Sequence, residues 1–121
     1  MSDGYGNSRV VHFNARGEFV AAWGERGVEP GQFHTPHMIT RDADGRLYVS
    51  DRENDRIQIF KKDGTYIQQF VFDAETQGSG STWGIAFSPL DANQDYFVMT
   101  DGTNNYVEVV RRKDGQVVGT F

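Results

Sequence analysis

Three segments of this chain share one pattern of letters. Asp3 to Phe13 reads DGYGNSRVVHF, Asp51 to Phe60 reads DRENDRIQIF, and Asp101 to Val110 reads DGTNNYVEVV. Each begins with Asp, places an Asn in a short polar turn, continues with Arg or Tyr, and then alternates apolar positions. The leading Asp recurs at intervals of 48 and 50 residues. No stretch has the i, i+3, i+4 apolar spacing of a helix. Self-similarity at about 40–50 residues, carried by short alternating strands, marks propeller blades of four antiparallel strands. The expected class is therefore all-β, a segment of a β-propeller.

The second copy shows how one blade divides. Strand a is expected at His37 to Arg41 and strand b at Arg46 to Ser50, with Asp44-Gly45 as the tight turn between them. Asp51 to Asp55 form a polar turn, strand c runs from Arg56 to Phe60, and Asp63-Gly64 turns the chain into strand d, Tyr66 to Phe72. The third copy repeats this with Trp83 to Phe87, Asp95 to Thr100, Tyr106 to Val110, and Gln116 to Phe121 after Asp114-Gly115. The first copy holds only strands c and d, Arg9 to Phe13 and Glu18 to Trp23, around Arg16-Gly17. One domain is expected, with a half-blade over 1–24 and full blades over 25–72 and 73–121.

Composition narrows the partners. A net charge of −5 over 121 residues argues against a surface that must meet phosphates, so no nucleic acid is expected. No apolar run approaches a membrane span. Met1 leads directly into SDGYGNS, without the charged and apolar regions of a leader, which leaves the compartment open. The absence of Cys removes disulfides and thiolate metal sites. A partial ring leaves apolar blade faces and strand edges uncovered, so self-association or further blades completing a ring are expected partners.

The run Gly-x-Phe before a Pro, followed by strand a and VSDRENDRIQIF, resembles an NHL-type repeat, the unit of six-bladed propellers. DGYGNSRVVHF, WGERGVEPGQFHTPH and DRENDRIQIF together resemble the catalytic propeller of peptidylglycine alpha-amidating lyases and their bacterial relatives. The likeness is close over residues 3–60 and looser over 83–121. It implies cleavage of peptidyl-α-hydroxyglycine to an amidated peptide and glyoxylate, with zinc held by three His, one from every second blade. Position by position, it implies Tyr5 in proton transfer from the substrate hydroxyl, His37 as a zinc ligand, and Arg52 as a substrate-positioning residue. The other two zinc His and another active-site Arg belong to blades that this sequence does not contain. Gly6 stands where animal members carry Cys. The expectation is a segment of a zinc-dependent lyase, inactive by itself, acting on a peptide-like substrate within a complete ring. The alternative is a non-catalytic NHL scaffold that binds protein or small ligands. A lactonase-like propeller would need a channel cluster of carboxylates and Asn, which the sequence does not display.

The residues themselves carry part of this. His37 opens an innermost strand, and its counterpart in the next blade is Trp83, consistent with ligands on alternate blades. Arg52 has Gly4 and Gly102 as counterparts, so it is not there for the turn's sake. Arg9, Arg56 and Tyr106 share one repeat position and are expected to pair with acidic groups such as Asp51 or to bridge blades. The recurrent Asp and Asn residues read as turn chemistry that bonds local backbone. His34 and His37 are separated by Pro36 and are not expected to share a face, and His12 reads as packed or at the rim. The acidic stretches DAETQ and DANQD lack calcium-loop spacing.

Overall fold

A computed structural model describes residues 1–121. Eleven strands form three antiparallel sheets and no α-helix is present. The first sheet has strand order β1 (Ser2–Asp3), β2 (Arg9–Phe13), β3 (Phe19–Trp23). The second runs β4 (Pro36–Arg41), β5 (Leu47–Asp51), β6 (Arg56–Phe60), β7 (Tyr66–Val71), and the third β8 (Gly84–Phe87), β9 (Tyr96–Asp101), β10 (Tyr106–Arg111), β11 (Val117–Thr120). This is the meander of a propeller blade, present twice in full. The leading unit differs from expectation. It has a short strand β1 as well, because Ser2 and Asp3 pair with Val10 and Arg9 while Met1 exchanges both main-chain hydrogen bonds with Val11.

Glycines set the predicted hairpins, with Gly45, Gly64 and Gly115 at φ of 84°, 90° and 73°, a region closed to most other residues. Each strand c then carries an irregularity at its last turn-proximal position, between His12 and Phe13, Ile59 and Phe60, and Val109 and Val110. Phe13, Phe60 and Val110 thus occupy equivalent places, as the shared repeat phase predicts.

Blade stacking follows from strand alternation. All five residues of β6 are buried, because this strand has a neighbouring blade on each face. Ile57 and Ile59 join Tyr48, Phe70, Ile85, Phe97, Met99 and Val110 between the second and third sheets. Phe60 and Val49 join Val10 and Phe33 between the first and second. Arg112 adds a polar tie across the second junction, 3.2 Å from Asp42. Tyr48 packs beside that carboxylate, and burial first, then Asp42, pushes its phenol up to about 12.

The connector over 24–36 is clamped from below by two buried polar side chains of β6. Arg56 donates to Asp51 at 2.7 Å and to the carbonyls of Val28, Glu29 and Gln32 at 2.7, 3.2 and 2.9 Å. Gln58 donates to Gln32 O at 2.7 Å and accepts from Gly31 N at 2.9 Å. A buried ion pair is tolerable when its remaining donors are satisfied, and these are. The clamp fixes where β4 begins, and so where His37 stands.

Candidate functional site

Four side chains from three sheets meet at one end of the inner strands. Tyr5 lies between β1 and β2, His37 is the second residue of β4, and Arg52 follows β5 in a single 3-10 turn, Arg52–Asn54. Trp83 immediately precedes β8. The rings of Tyr5 and His37 are 6.1 Å apart and those of His37 and Trp83 5.6 Å apart, both edge to face. The guanidinium carbon of Arg52 is 4.7 Å from the Trp83 ring and 5.7 Å from the Tyr5 ring. Arg52 Nη1 donates to the Tyr5 hydroxyl at 3.3 Å. The three residues singled out in the sequence are therefore neighbours, although 47 positions separate Tyr5 from Arg52.

The chemistry of each group follows from its surroundings. His37 Nδ1 is 2.7 Å from the carbonyl of Trp83. A carbonyl only accepts, so Nδ1 carries the hydrogen and the lone pair of the neutral ring is on Nε2. Arg52 is buried, yet its Nε has no partner and its Nη2 reaches Glu53 Oε1 only at 3.5 Å. Its guanidinium is thus held mainly by aromatic faces. Tyr5 is 77% exposed, which leaves its hydroxyl open to a ligand.

Glu53 supports Arg52 from behind. Thr35 Oγ1 donates to Glu53 Oε1 at 2.7 Å, and His34 Nε2 lies 2.8 Å from Oε2. The Thr35 hydroxyl, with smaller help from His34 and Arg52, holds this carboxyl below the usual range against the opposing effect of burial. His34 also meets Arg26 at 2.8 Å, so the two histidines of HTPH serve different groups, as their separation by Pro36 implied. His12 lies in the cleft between the first two sheets, beside Trp23 and Ile39, away from this cluster. No three His, Asp or Glu side chains gather as a metal-ligand set.

The repeat positions explain why these side chains converge. A Cβ on Gly4 would come within 2.3 Å of Pro36 O, and one on Gly102 within 2.6 Å of the Trp83 ring. Both glycines make room for a neighbour, and neither has positive φ. Only the middle blade replaces this glycine, with Arg52. Trp83 and Glu53 are the members of the cluster that sequence reasoning did not assign. Trp83 was visible as the counterpart of His37, but its reach to Arg52 depends on the spacing between blades.

Residues 33–60, which include His37 and Arg52, match the family model described as NHL repeat. Around them, the chain is 45% identical over 75 residues to peptidyl-glycine alpha-amidating monooxygenase B of Xenopus laevis, covering 57% of this chain and 9% of that protein. It is 44% identical over 63 residues to NHL repeat-containing protein 3 of Mus musculus, covering 50% and 18%. It is 32% identical over 80 residues to peptidyl-alpha-hydroxyglycine alpha-amidating lyase 1 of Drosophila melanogaster, covering 58% and 15%. The chain thus spans less than a fifth of the length of each of these relatives. The structure of virginiamycin B lyase from Staphylococcus aureus superposes on 94% of the chain with a TM-score of 0.67 and 19% identity, covering 34% of that protein. That likeness shows the fold. The chain is a β-propeller segment, all-β, with four-stranded antiparallel blades.

Proposed function

We propose that this NHL segment carries part of the active site of a zinc-dependent lyase that cleaves peptidyl-α-hydroxyglycine to an amidated peptide and glyoxylate. The observation that carries the reading is the convergence of Tyr5, His37 and Arg52, with Arg52 Nη1 3.3 Å from the Tyr5 hydroxyl and the Tyr5 and His37 rings 6.1 Å apart. Similarity to relatives named as amidating lyases supports it.

His37 fits a zinc ligand in one respect that matters. Its Nδ1–H is fixed by a main-chain carbonyl, which presents the Nε2 lone pair in a set direction, the arrangement that metal-bound imidazoles require. A catalytic zinc takes about three protein ligands and one open position. These residues supply one donor, and the other donors come from further blades or from another copy of the chain. Zinc would there polarise a substrate oxygen as a Lewis acid.

The chain's own groups do the rest. Arg52 offers a planar fork that pairs with a carboxylate in two parallel hydrogen bonds, and Lys has no such geometry. It binds the carboxylate of the hydroxyglycine unit and so sets the orientation of the scissile carbon. The Tyr5 oxygen accepts from Arg52, which turns its own O–H toward the exposed side. There it passes its own proton to the amide nitrogen and receives the proton of the substrate hydroxyl as the C–N bond breaks and the C=O bond of glyoxylate forms. The proton balance closes when the amide nitrogen takes up one proton on leaving.

Zinc titration of the chain, followed through the imidazole nitrogens by NMR, tests the metal assignment. The expected result is a shift at His37 Nε2 with the Nδ1–H retained. Zinc taken up by His12 or His34 with no change at His37 contradicts it. A second reading, a scaffold that binds ligands without chemistry, is favoured by the similarity to NHL repeat-containing protein 3, whose name carries no activity.

A further inference from the structure

We propose that Trp83 is a positioning residue for this site, stacking its indole on the Arg52 guanidinium so that only the guanidinium edge is offered to a ligand. The inference rests on the role given to Arg52 above.

A buried cation is expensive unless something replaces its water. Arg52 is 7% exposed, and its only hydrogen bonds from the side chain are at 3.3 Å to Tyr5 and 3.5 Å to Glu53, with Nε unpartnered. Of the two aromatic faces beside the guanidinium carbon, that of Trp83 is the nearer, at 4.7 Å against 5.7 Å for Tyr5. A cation within about 6 Å of an indole face is attracted by its quadrupole, most strongly when desolvated. The indole contact itself uses none of the N–H groups, and the long contacts to Tyr5 and Glu53 use one on Nη1 and one on Nη2, so each of these nitrogens keeps a second N–H for a carboxylate.

Trp83 is built to hold this pose. Its Nε1 donates to Gly80 O at 2.9 Å and to Thr103 Oγ1 at 3.3 Å, and Thr103 in turn donates to Gly80 O at 2.7 Å. Gly102 lies under the ring, where any Cβ would intrude at 2.6 Å. Its backbone has no positive φ, so glycine is present for space and not for conformation. The middle blade pairs His37 with Arg52 at these two repeat positions, and the next blade pairs Trp83 with Gly102. The missing side chain of the second pair is what lets the indole lie down and reach the first. The Trp83 carbonyl meanwhile bonds His37 Nδ1, so one residue orients both functional groups of the neighbouring blade.

The test compares Trp83→Leu, Trp83→Phe and Gly102→Ala with the unmodified chain. Two quantities are read, the NMR shift of the Arg52 Nε–H and the affinity for a short peptide ending in α-hydroxyglycine. Trp83→Leu is expected to remove a ring-current shift at Arg52 and to weaken peptide binding roughly threefold to thirtyfold. Trp83→Phe, which keeps an aromatic face, should fall between the two. Gly102→Ala, which displaces the indole without deleting it, should move the Arg52 resonance in the same direction as Trp83→Leu. The His37 tautomer should survive in all three, since its partner is main chain. An unchanged Arg52 resonance in folded Trp83→Leu or Gly102→Ala overturns the inference, as does equal binding by the Phe and Leu variants. An unmodified chain that shows the ring-current shift but does not bind the peptide overturns the ligand role of Arg52 instead, and with it the function given to the stack.

Discussion

One letter of the repeat does three different jobs. Asp101 behaves as the sequence implies, accepting from the backbone N–H groups of Thr103 and Asn104. Asp3 is an open pairing for Asn7 and Arg9. Asp51 is instead a fully buried node that accepts from His34 N, Asn54 Nδ2, Arg56 Nε and Gln58 Nε2. The turn was legible in the letter, but the burial was not, because it depends on the 24–36 connector folding back over β6. Asp51→Ala should therefore cost about 3–5 kcal/mol, since it leaves Arg56 buried without its counter-charge, and Asp3→Ala should change stability little; urea midpoints compare the two. Glu108 supplies a pH test. It holds the place of Gln58 in the next blade, and its Oε2 is buried without a partner. Burial first, then Asp73 and Asp101, pushes its carboxyl up. A carboxyl raised on folding lowers stability once the pH exceeds the ordinary Glu range, because the folded state then resists the charge. Glu108→Gln should therefore raise the urea midpoint at neutral pH, and the gain should fade as the pH falls below that range.

At the scale of elements, the hairpin between strands c and d is also a blade contact. Trp23 pairs with Val10 across its sheet, and Phe70 with Ile57, so the two aromatics are repeat equivalents. Each covers the hairpin glycine of the following blade: a Cβ on Gly64 would meet Trp23 at 2.9 Å, and one on Gly115 would meet Phe70 at 2.4 Å. Gly17, in the first hairpin, has nothing within 4 Å. All three have positive φ, so Ala is strained at each. Gly17→Ala should cost about 1–2 kcal/mol from backbone strain alone. Gly115→Ala adds overpacking of about 1–3 kcal/mol, and thermal or urea unfolding separates the two. The strands and turns of this arrangement were readable because alternation and Asp-Gly pairs are local signals. The stacking of one blade's aromatic on the next blade's glycine is not local, and no spacing within a single repeat announces it. The same limit hid Trp83, whose contact with Arg52 crosses a blade junction.

The molecule as a whole ends in two complementary surfaces. Phe121 exchanges main-chain hydrogen bonds with Val107, which makes it the third-blade equivalent of Trp23 and Phe70, and it is 75% exposed. Gly17 is the matching uncovered glycine at the other end. Blade meets blade inside the chain in this way twice, so a further blade or a second copy should meet it likewise. The chain should show a mass that rises with concentration in light scattering, and Phe121→Ser should reduce the rise. A stable monomer at all concentrations speaks against open blade faces. On the lyase proposal ring completion matters for function too, because His37 would supply a zinc with only one of its donors. The most direct test of the account is therefore glyoxylate release from a peptide ending in α-hydroxyglycine, with zinc bound, by a complete propeller that carries residues 1–121. Turnover should be lost with zinc retained in Tyr5→Phe, and lost together with zinc in His37→Ala. Turnover unchanged in Tyr5→Phe, or none at all from a zinc-loaded ring, contradicts the lyase reading and leaves the blades to the scaffold reading.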